Sequence, residues 1–141
     1  MGKTKVLLDT NILISALGWN GKPRQVFQKC IDGELELITS PEQIAELRRV
    51  MDYPKFNFTE EQKTIFIAIV LGIATMVEIT GQLRVIKEDH DDDAILETAF
   101  AGSAEYIISG DSHLLNLREF AGTNIITTSE FLEHLTPNKT F

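Results

Sequence analysis

Cysteine, signal-like segments and long apolar runs are scarce in this sequence of 141 residues, and each scarcity excludes a class of protein. The lone cysteine, Cys30, cannot form an internal disulfide, which argues against a disulfide-stabilised secreted domain. The longest apolar stretch, residues 65–77, has only 13 residues and is too short to span a membrane. The first residues contain no apolar signal-peptide region. These absences predict a cytoplasmic protein without a membrane partner.

Basic residues are also in short supply. The chain has 13 Lys and Arg against 21 Asp and Glu, which gives a net charge of −8. Residues 1–55 hold 8 basic and 7 acidic groups, whereas residues 56–141 hold 5 basic and 14 acidic groups. Because phosphate contacts need Lys and Arg, the charge taken alone argues against a nucleic-acid ligand.

Strand-like and helix-like segments alternate along the chain. Ser40 and Thr59 each begin a capping box, and the helix after Thr59 is apolar enough to be expected wholly inside the fold. Such alternation predicts a single α/β domain whose mainly parallel sheet is covered on both faces. We expect this domain over residues 1–135 and a loose tail at 136–141. The predicted strands are 5–9, 35–38, 105–109 and 123–126, with weaker candidates at 76–79 and 83–86; the predicted helices are 25–31, 41–51, 59–73, 92–101, 112–117 and a final segment containing residues 131–135.

Two aspartates follow directly after predicted strands. Asp9 comes after the apolar run 6–8, and Asp111 comes shortly after the apolar pair 107–108. Since parallel strands end at one edge of a sheet and lie ~4.8 Å apart, two such aspartates can share one ligand. Aspartate also caps helices and begins turns, and that alternative stays open for either residue alone.

Further acids lie on predicted helices. The apolar residues three, four and seven positions after Asp92 predict that its carboxylate faces the sheet, with Asp93 rotated off that face. Five of the six residues 88–93 are acidic, a density that is unfavourable unless water solvates it or a cation neutralises it. Glu46 borders the apolar stripe of the helix 41–51, although a surface position is usual for glutamate.

Carboxylates from separate segments, without a Cys or His cluster, favour Mg²⁺ or Mn²⁺. His90, His113 and His134 lack metal-ligand spacing, and we expect them to face solvent. Such a site is typical of phosphodiester hydrolysis by a metal-activated water. Asn11 and Ser109 stand beside the strand-end aspartates, where each could orient a carboxylate or a metal-bound water. A turn for Asn11 and a backbone hydrogen bond for Ser109 are the alternatives.

Four short motifs, in this order, resemble a PIN domain, in particular the VapC-like toxins of toxin–antitoxin systems. They are VLLDTNILISAL at 6–17, SPEQIAEL at 40–47, DDAILETA at 92–99 and AEYIISGD at 104–111. The resemblance covers residues 5–135 and implies a three-layer α/β/α fold, a Mg²⁺- or Mn²⁺-dependent ribonuclease acting on RNA, an antitoxin partner and a homodimer. The family's acidic positions are matched by Asp9, Glu46, Asp92 and Asp111, with Asp93 as a substitute or added metal ligand, and its supporting polar positions by Asn11 and by Ser109, which stands where Thr is usual.

Two other functions stay open. A haloacid-dehalogenase-like phosphatase also has a strand-end Asp and a late Gly-Asp, but position 11 is Asn where that family needs a second Asp. The other alternative is a non-catalytic acidic module that binds a metal or a protein. If a metal ion offsets the four candidate acids, the net charge no longer excludes RNA. We then expect weak RNA binding without divalent metal, and a protein as the tight partner.

Overall fold

The computed structural model describes residues 2–86 and 90–135, and these form six strands and seven α-helices. A 3₁₀ turn at Pro54–Phe56 lies between the third and fourth helices. The strands are Thr4–Leu8 (β1), Leu35–Thr39 (β2), Thr75–Met76 (β3), Tyr106–Ile108 (β4), Glu119–Phe120 (β5) and Thr123–Ile126 (β6). The helices are Thr10–Gly18 (α1), Lys22–Ile31 (α2), Pro41–Met51 (α3), Glu60–Ile73 (α4), His90–Ala101 (α5), Ser112–Leu115 (α6) and Thr128–Leu135 (α7).

The strands form one sheet in the order β3-β2-β1-β4-β6-β5. Neighbouring strands are parallel except for the antiparallel pair of β5 and β6. This arrangement confirms the predicted mainly parallel sheet. Leu8 at the end of β1 pairs with Ile108 at the end of β4, so both strands end at the same edge. The chain order reverses between these two strands, and such a switch point is where open α/β sheets bind ligands.

Apolar side chains cover both faces of the sheet. Because side chains alternate along a strand, Val6 and Leu8 of β1 pack on one face and Leu7 packs on the other. Residues of α1, α2, α3, α4 and α7 fill the first face, and residues of α5 and α6 fill the second. The fold therefore has the three α/β/α layers that the resemblance implied.

Helix α4 is less buried than its sequence predicts. We expected it wholly inside the fold, but Ile67 and Val70 are its buried residues, whereas Ile65 and Leu71 remain 49% and 45% exposed. The Thr59 capping box is present, so the predicted start of the helix is confirmed, whereas the predicted burial of the whole helix is wrong. A helix that covers a sheet can bury only one of its faces, and a continuous apolar run carries no periodicity to show which face that is.

Other differences from the predicted elements are local. Residues 10–18 form α1, which was not predicted because apolar residues occupy most of its positions and blur the period. The antiparallel strand β5 was also missed. Of the candidate strand 76–79 only Met76 is in a strand, as the second residue of β3, and the candidate at 83–86 forms no strand. Within the described residues, no helix has both the length and the apolar character to cross a membrane. The predicted tail, 136–141, lies outside the described residues.

Candidate functional site

The candidate site begins where β1 and β4 end. Asp9 is the N-cap of α1, and its Oδ1 accepts the backbone N–H of Ile12 at 2.9 Å. Its Oδ2 accepts the hydroxyl of Ser109, and that hydroxyl in turn accepts the backbone N–H of Asp111 at 2.9 Å. Ser109 therefore connects the two strand-end aspartates, which are 102 positions apart in the chain.

The electrostatic setting of Asp9 is unfavourable for a lone carboxylate. Burial raises the pKa of Asp9 above its ordinary value, and the nearby negative charge of Asp111 raises it further. Hydrogen bonds from the Ser109 hydroxyl and from the backbone of Ile12 and Gly110 only partly offset these effects on the pKa. A buried carboxylate in this position is stabilised if a cation lies beside it.

A second group of possible ligands lies around Asp111. One side-chain ligand atom from each of Asp92, Asp111 and His113 lies within 4.8 Å of the other two. Asp92 is buried at the start of α5, as the spacing of its apolar neighbours predicts. His113 is half-exposed as expected, and although it has no metal-ligand spacing in the sequence, the fold brings it into this group. The signal lies in the spacing Asp111-Ser-His113 at the start of α6, because the chain turns there and brings both side chains to one end of the helix.

Asp93 makes different contacts from Asp92, because it binds backbone N–H groups. Its Oδ1 accepts the backbone N–H groups of Val85 and Ile86 at 2.8 and 2.7 Å, and its side chain is buried. The expectation that Asp93 turns away from the packed face is wrong, because the backbone of residues 85 and 86 lies against its carboxylate. Its Oδ2 is also buried and accepts no hydrogen bond within residues 2–86 and 90–135.

Glu46 is held near Asp9 by a neighbouring hydroxyl. Glu46 Oε1 on α3 accepts the hydroxyl of Thr10, the first residue of α1, at 2.5 Å. Thr10 directly follows Asp9, so this contact brings the third helix to the strand-end aspartate. Asn11 lies in the same first turn of α1 with its side chain exposed. Within the described part of the chain, the Asn11 side chain makes no hydrogen bond to the candidate acids.

A buried glutamine, Gln43, holds together the strand ends next to the site. This role was not predicted from the sequence. Gln43 Nε2 donates to the carbonyl of Leu8 at 2.6 Å, and Gln43 Oε1 accepts the hydroxyl of Thr39 at 2.6 Å. The predicted capping box is therefore only half formed: Ser40 Oγ accepts the N–H of Gln43 at 3.3 Å, but the Gln43 side chain reaches the strands. It joins the ends of β1 and β2 directly before Asp9.

A cleft of about 320 Å³ opens beside Glu46, between α3, α5 and the segment before α5. Arg49 on its wall forms a 3.1 Å ion pair with Asp91, and Arg84 donates to the carbonyls of Gly81 and Leu83. A larger cavity of about 700 Å³ is lined by residues of β4, β6 and α7 and contains none of the candidate acids. Among the candidate acids, Glu46 and Asp93 line the smaller cleft.

Comparisons with known proteins agree with this geometry. A family model described as PIN domain matches residues 5–113. The uncharacterized protein MJ1680 of Methanocaldococcus jannaschii is 28% identical over 120 residues, which are 83% of this chain and 77% of the relative.

Three solved structures share the fold. VapBC2 from Rickettsia felis, solved bound to a DNA fragment from its promoter, has a TM-score of 0.62 at 16% identity, with 86% of this chain and 97% of that chain covered. FitAcB from Neisseria gonorrhoeae has a TM-score of 0.56 at 17% identity, with 88% and 98% covered. PAE2754 from Pyrobaculum aerophilum has a TM-score of 0.58 at 13% identity, with 94% and 95% covered. At these identities the likeness is one of fold.

Proposed function

The chain belongs to the PIN domain family, and from this premise we propose that it is a divalent-metal-dependent ribonuclease, a hydrolase of phosphodiester bonds. The observation that carries the proposal is the convergence of acids at the switch point of the sheet. Asp9 and Asp111 are connected through Ser109, and Asp92 lies beside Asp111. Nucleic-acid hydrolysis is the activity that the family resemblance implies, and this convergence supports it.

The donor set fits a divalent cation. Asp9 is buried beside the charge of Asp111, and a cation would relieve both the burial and the repulsion that raise its pKa. Carboxylate oxygens suit Mg²⁺ and Mn²⁺. We propose Asp9, Glu46, Asp92 and Asp111 as the acids that hold the metal. Asp93 is less suitable as a metal ligand than Asp92, because one of its oxygens already holds the backbone before α5.

The side chains around these acids orient them. When bound, Mg²⁺ or Mn²⁺ activates a water molecule and offsets the negative charge on the phosphoryl group. The hydroxyl of Ser109 fixes the Asp9 carboxylate, and the hydroxyl of Thr10 fixes Glu46. The cleft beside Glu46 is lined by one of the four acids, and Arg49 and Arg84 on its wall are candidate contacts for the RNA backbone, although Arg49 would have to leave its ion pair with Asp91.

Two alternatives are less well supported. The PIN family match favours the nuclease over the haloacid-dehalogenase-like phosphatase, for which position 11 already lacks the second Asp. The family match also favours the nuclease over a non-catalytic acidic module, whereas the hydroxyls beside Asp9 and Glu46 fit either function. The cleavage assay below distinguishes that module from the nuclease directly.

We also propose that the protein is the toxin of a type II toxin–antitoxin pair and that it forms a homodimer in the cytoplasm. The sequence resemblance to VapC-like toxins and the fold shared with VapBC2 support this role. Expression in a bacterial host tests it: the wild-type chain should arrest growth, and a small protein encoded beside its gene should restore growth and co-purify with it. Light scattering of the purified chain tests the dimer.

The central experiment is cleavage of a mixed panel of single-stranded and structured RNA. We expect cleavage with Mn²⁺ or Mg²⁺, no cleavage in EDTA, and loss of cleavage in Asp9→Asn. The matched control is Asp32→Asn, the same chemical change at an exposed residue that ends α2. The proposal is wrong if the metal-supplemented protein leaves every RNA intact, or if Asp9→Asn cleaves as well as the control.

A further inference from the structure

The imidazole of His113 lies beside two of the proposed metal-holding acids, Asp92 and Asp111. We infer that His113 is a ligand of the bound ion together with Asp92 and Asp111, and that this set favours a first-row transition ion such as Mn²⁺ over Mg²⁺. The inference rests on the proposed function, because it concerns the same site. It adds a nitrogen ligand to a site that the sequence predicts to be built from oxygen alone.

The geometry suits a shared ion. Ligand atoms about 2.1 Å from an octahedral ion lie about 3 Å apart when adjacent and about 4.2 Å apart when opposite. The ligand atoms of Asp92, Asp111 and His113 lie within 4.8 Å of one another, so small side-chain rotations bring them to these spacings. His113 Nδ1 and Asp111 Oδ1 are 3.9 Å apart, which lies between the two values.

A backbone hydrogen bond holds His113 in this position and leaves its ring nitrogens available. Asp111 Oδ1 accepts the backbone N–H of His113 at 2.9 Å, and this contact fixes the relative placement of the two residues at the start of α6. At 3.9 Å the ring nitrogen is too far from Asp111 for a hydrogen bond. Within residues 2–86 and 90–135 the imidazole has no other polar partner, and half of the side chain is exposed, so the ring is able to turn.

His134 shows what an engaged histidine looks like in this fold. Its Nε2 lies 2.8 Å from the hydroxyl of Tyr106, and its ring packs against the tyrosine ring. His134 therefore has a structural contact that explains its position, whereas the neighbours of His113 are two carboxylates. One imidazole nitrogen and two carboxylates together form a set of ligand atoms that suits a metal ion. Within the part of the chain that the structure describes, the same three groups offer no packing contact comparable to the one that His134 makes with Tyr106.

The donor chemistry decides which ion is favoured. Mg²⁺ strongly prefers oxygen ligands and gains little from an imidazole. Imidazole nitrogen is a ligand of first-row transition ions, and Mn²⁺, which among them shares the preference of Mg²⁺ for carboxylate oxygens, can use both kinds of ligand in this set. Removing the nitrogen should therefore weaken Mn²⁺ binding selectively and leave Mg²⁺ binding nearly unchanged.

The test is Mn²⁺ binding to the full chain, followed by electron paramagnetic resonance. Pulsed spectra of the bound ion should carry a ¹⁴N coupling from imidazole, and His113→Gln should abolish that coupling. We expect Mn²⁺ affinity to fall roughly tenfold or more in this variant. Mg²⁺ affinity, measured by competition, should stay within about twofold of the wild type. His134→Gln and His90→Gln are the controls, and both should retain the coupling.

The outcomes separate this inference from the proposed function. Bound Mn²⁺ without ¹⁴N coupling in the wild-type chain overturns the histidine ligand, while metal-dependent RNA cleavage would still support the nuclease. A coupling that disappears in His90→Gln instead of His113→Gln also overturns it. If neither Mn²⁺ nor Mg²⁺ binds the wild-type chain, the proposed nuclease fails together with the inference. Because the first measurement uses the wild-type chain, a folding defect in a variant does not affect it.

Discussion

Replacing Asp9 by asparagine should abolish RNA cleavage and, in the absence of metal, make the folded protein more stable. Asp9 is 6% exposed and lies close to the negative charge of Asp111. Both effects disfavour its ionised form, so in the absence of metal the buried Asp9 carboxyl lowers the stability of the wild-type chain at neutral pH. Asparagine has the same shape, caps a helix equally well and carries no charge.

The size of the effect follows from two opposing contributions. Each unit by which the pKa of a buried carboxyl is raised lowers the stability at neutral pH by about 1.4 kcal/mol. Asparagine can keep only one of the two hydrogen bonds that Asp9 accepts from Ile12 and Ser109, and losing the other removes about 1 kcal/mol. Because burial and the charge of Asp111 both raise the pKa of Asp9, we expect the gain from removing the charge to exceed this loss, and each 1 kcal/mol of net gain would raise Tm by about 3 °C.

The assay is urea unfolding in EDTA, followed by circular dichroism at several pH values. A carboxyl whose folded-state pKa is raised lowers stability above that pKa, and the loss disappears as the pH falls toward the ordinary value of 3.8. The advantage of Asp9→Asn should thus be largest at neutral pH and shrink in acid. Saturation with Mn²⁺ should reverse the order, because an ion at 100 times its Kd stabilises the wild-type chain by about 2.7 kcal/mol.

Two results would refute this reasoning. The first is an Asp9→Asn protein that is less stable than the wild type in EDTA at neutral pH. The second is an advantage that does not change with pH, because it could not come from the charge of Asp9. Asp32→Asn, at an exposed position, should stay within about 0.5 kcal/mol of the wild type throughout.

Three further predictions concern the remainder of the fold. Gly102→Ala places a Cβ 2.4 Å from Ile38 Cγ2 and should lower the unfolding free energy by about 1–3 kcal/mol, whereas its matched control Gly72→Ala meets open space on α4 and should raise it by about 0.5–1 kcal/mol in the same urea titration. Burial raises the pKa of the Cys30 thiol to about 12, so iodoacetamide at pH 8 should label the unfolded chain and leave the folded chain unlabelled; rapid labelling of the folded chain would contradict this. Burial alone would raise the pKa of Glu97, but hydrogen bonds from residues 80, 81 and 83 outweigh burial and lower the pKa. The ionised Glu97 carboxylate should therefore hold residues 80–83 in place at pH values above its ordinary pKa of 4.5, and these hydrogen bonds should be lost as the pH falls below that value. Glu97→Gln should accordingly speed amide exchange at residues 80 and 81 at pH 7, and unchanged exchange would count against the role of Glu97.

The sheet edge was predictable from local sequence because it depends on short apolar runs. The runs before Asp9 and before Ser109 have the length of strands, and strands of a parallel sheet end at a common edge. The burial of Asp92 was predictable for a similar reason, since the apolar residues that follow it repeat with the period of a helix. These inferences need only the geometry of single elements.

The contacts between elements were not predictable in this way. The link from Thr10 to Glu46 joins α1 to α3, and the link from Gln43 to Leu8 joins α3 to β1. Neither leaves a periodic pattern, because each depends on how two elements pack against each other. The place of Asp93 under the segment before α5 depends on packing in the same way.

The amino-acid sequence by itself determined the alternating elements, the mainly parallel sheet and the candidate acids, because helical and strand periods are properties of the local chain. Only the tertiary structure decided which face of α4 is buried, which of the two adjacent acids lies beside Asp111, and that His113 joins them. These features depend on distances between atoms far apart in the chain. Such distances are set by the packing of helices on the sheet, which no local pattern encodes.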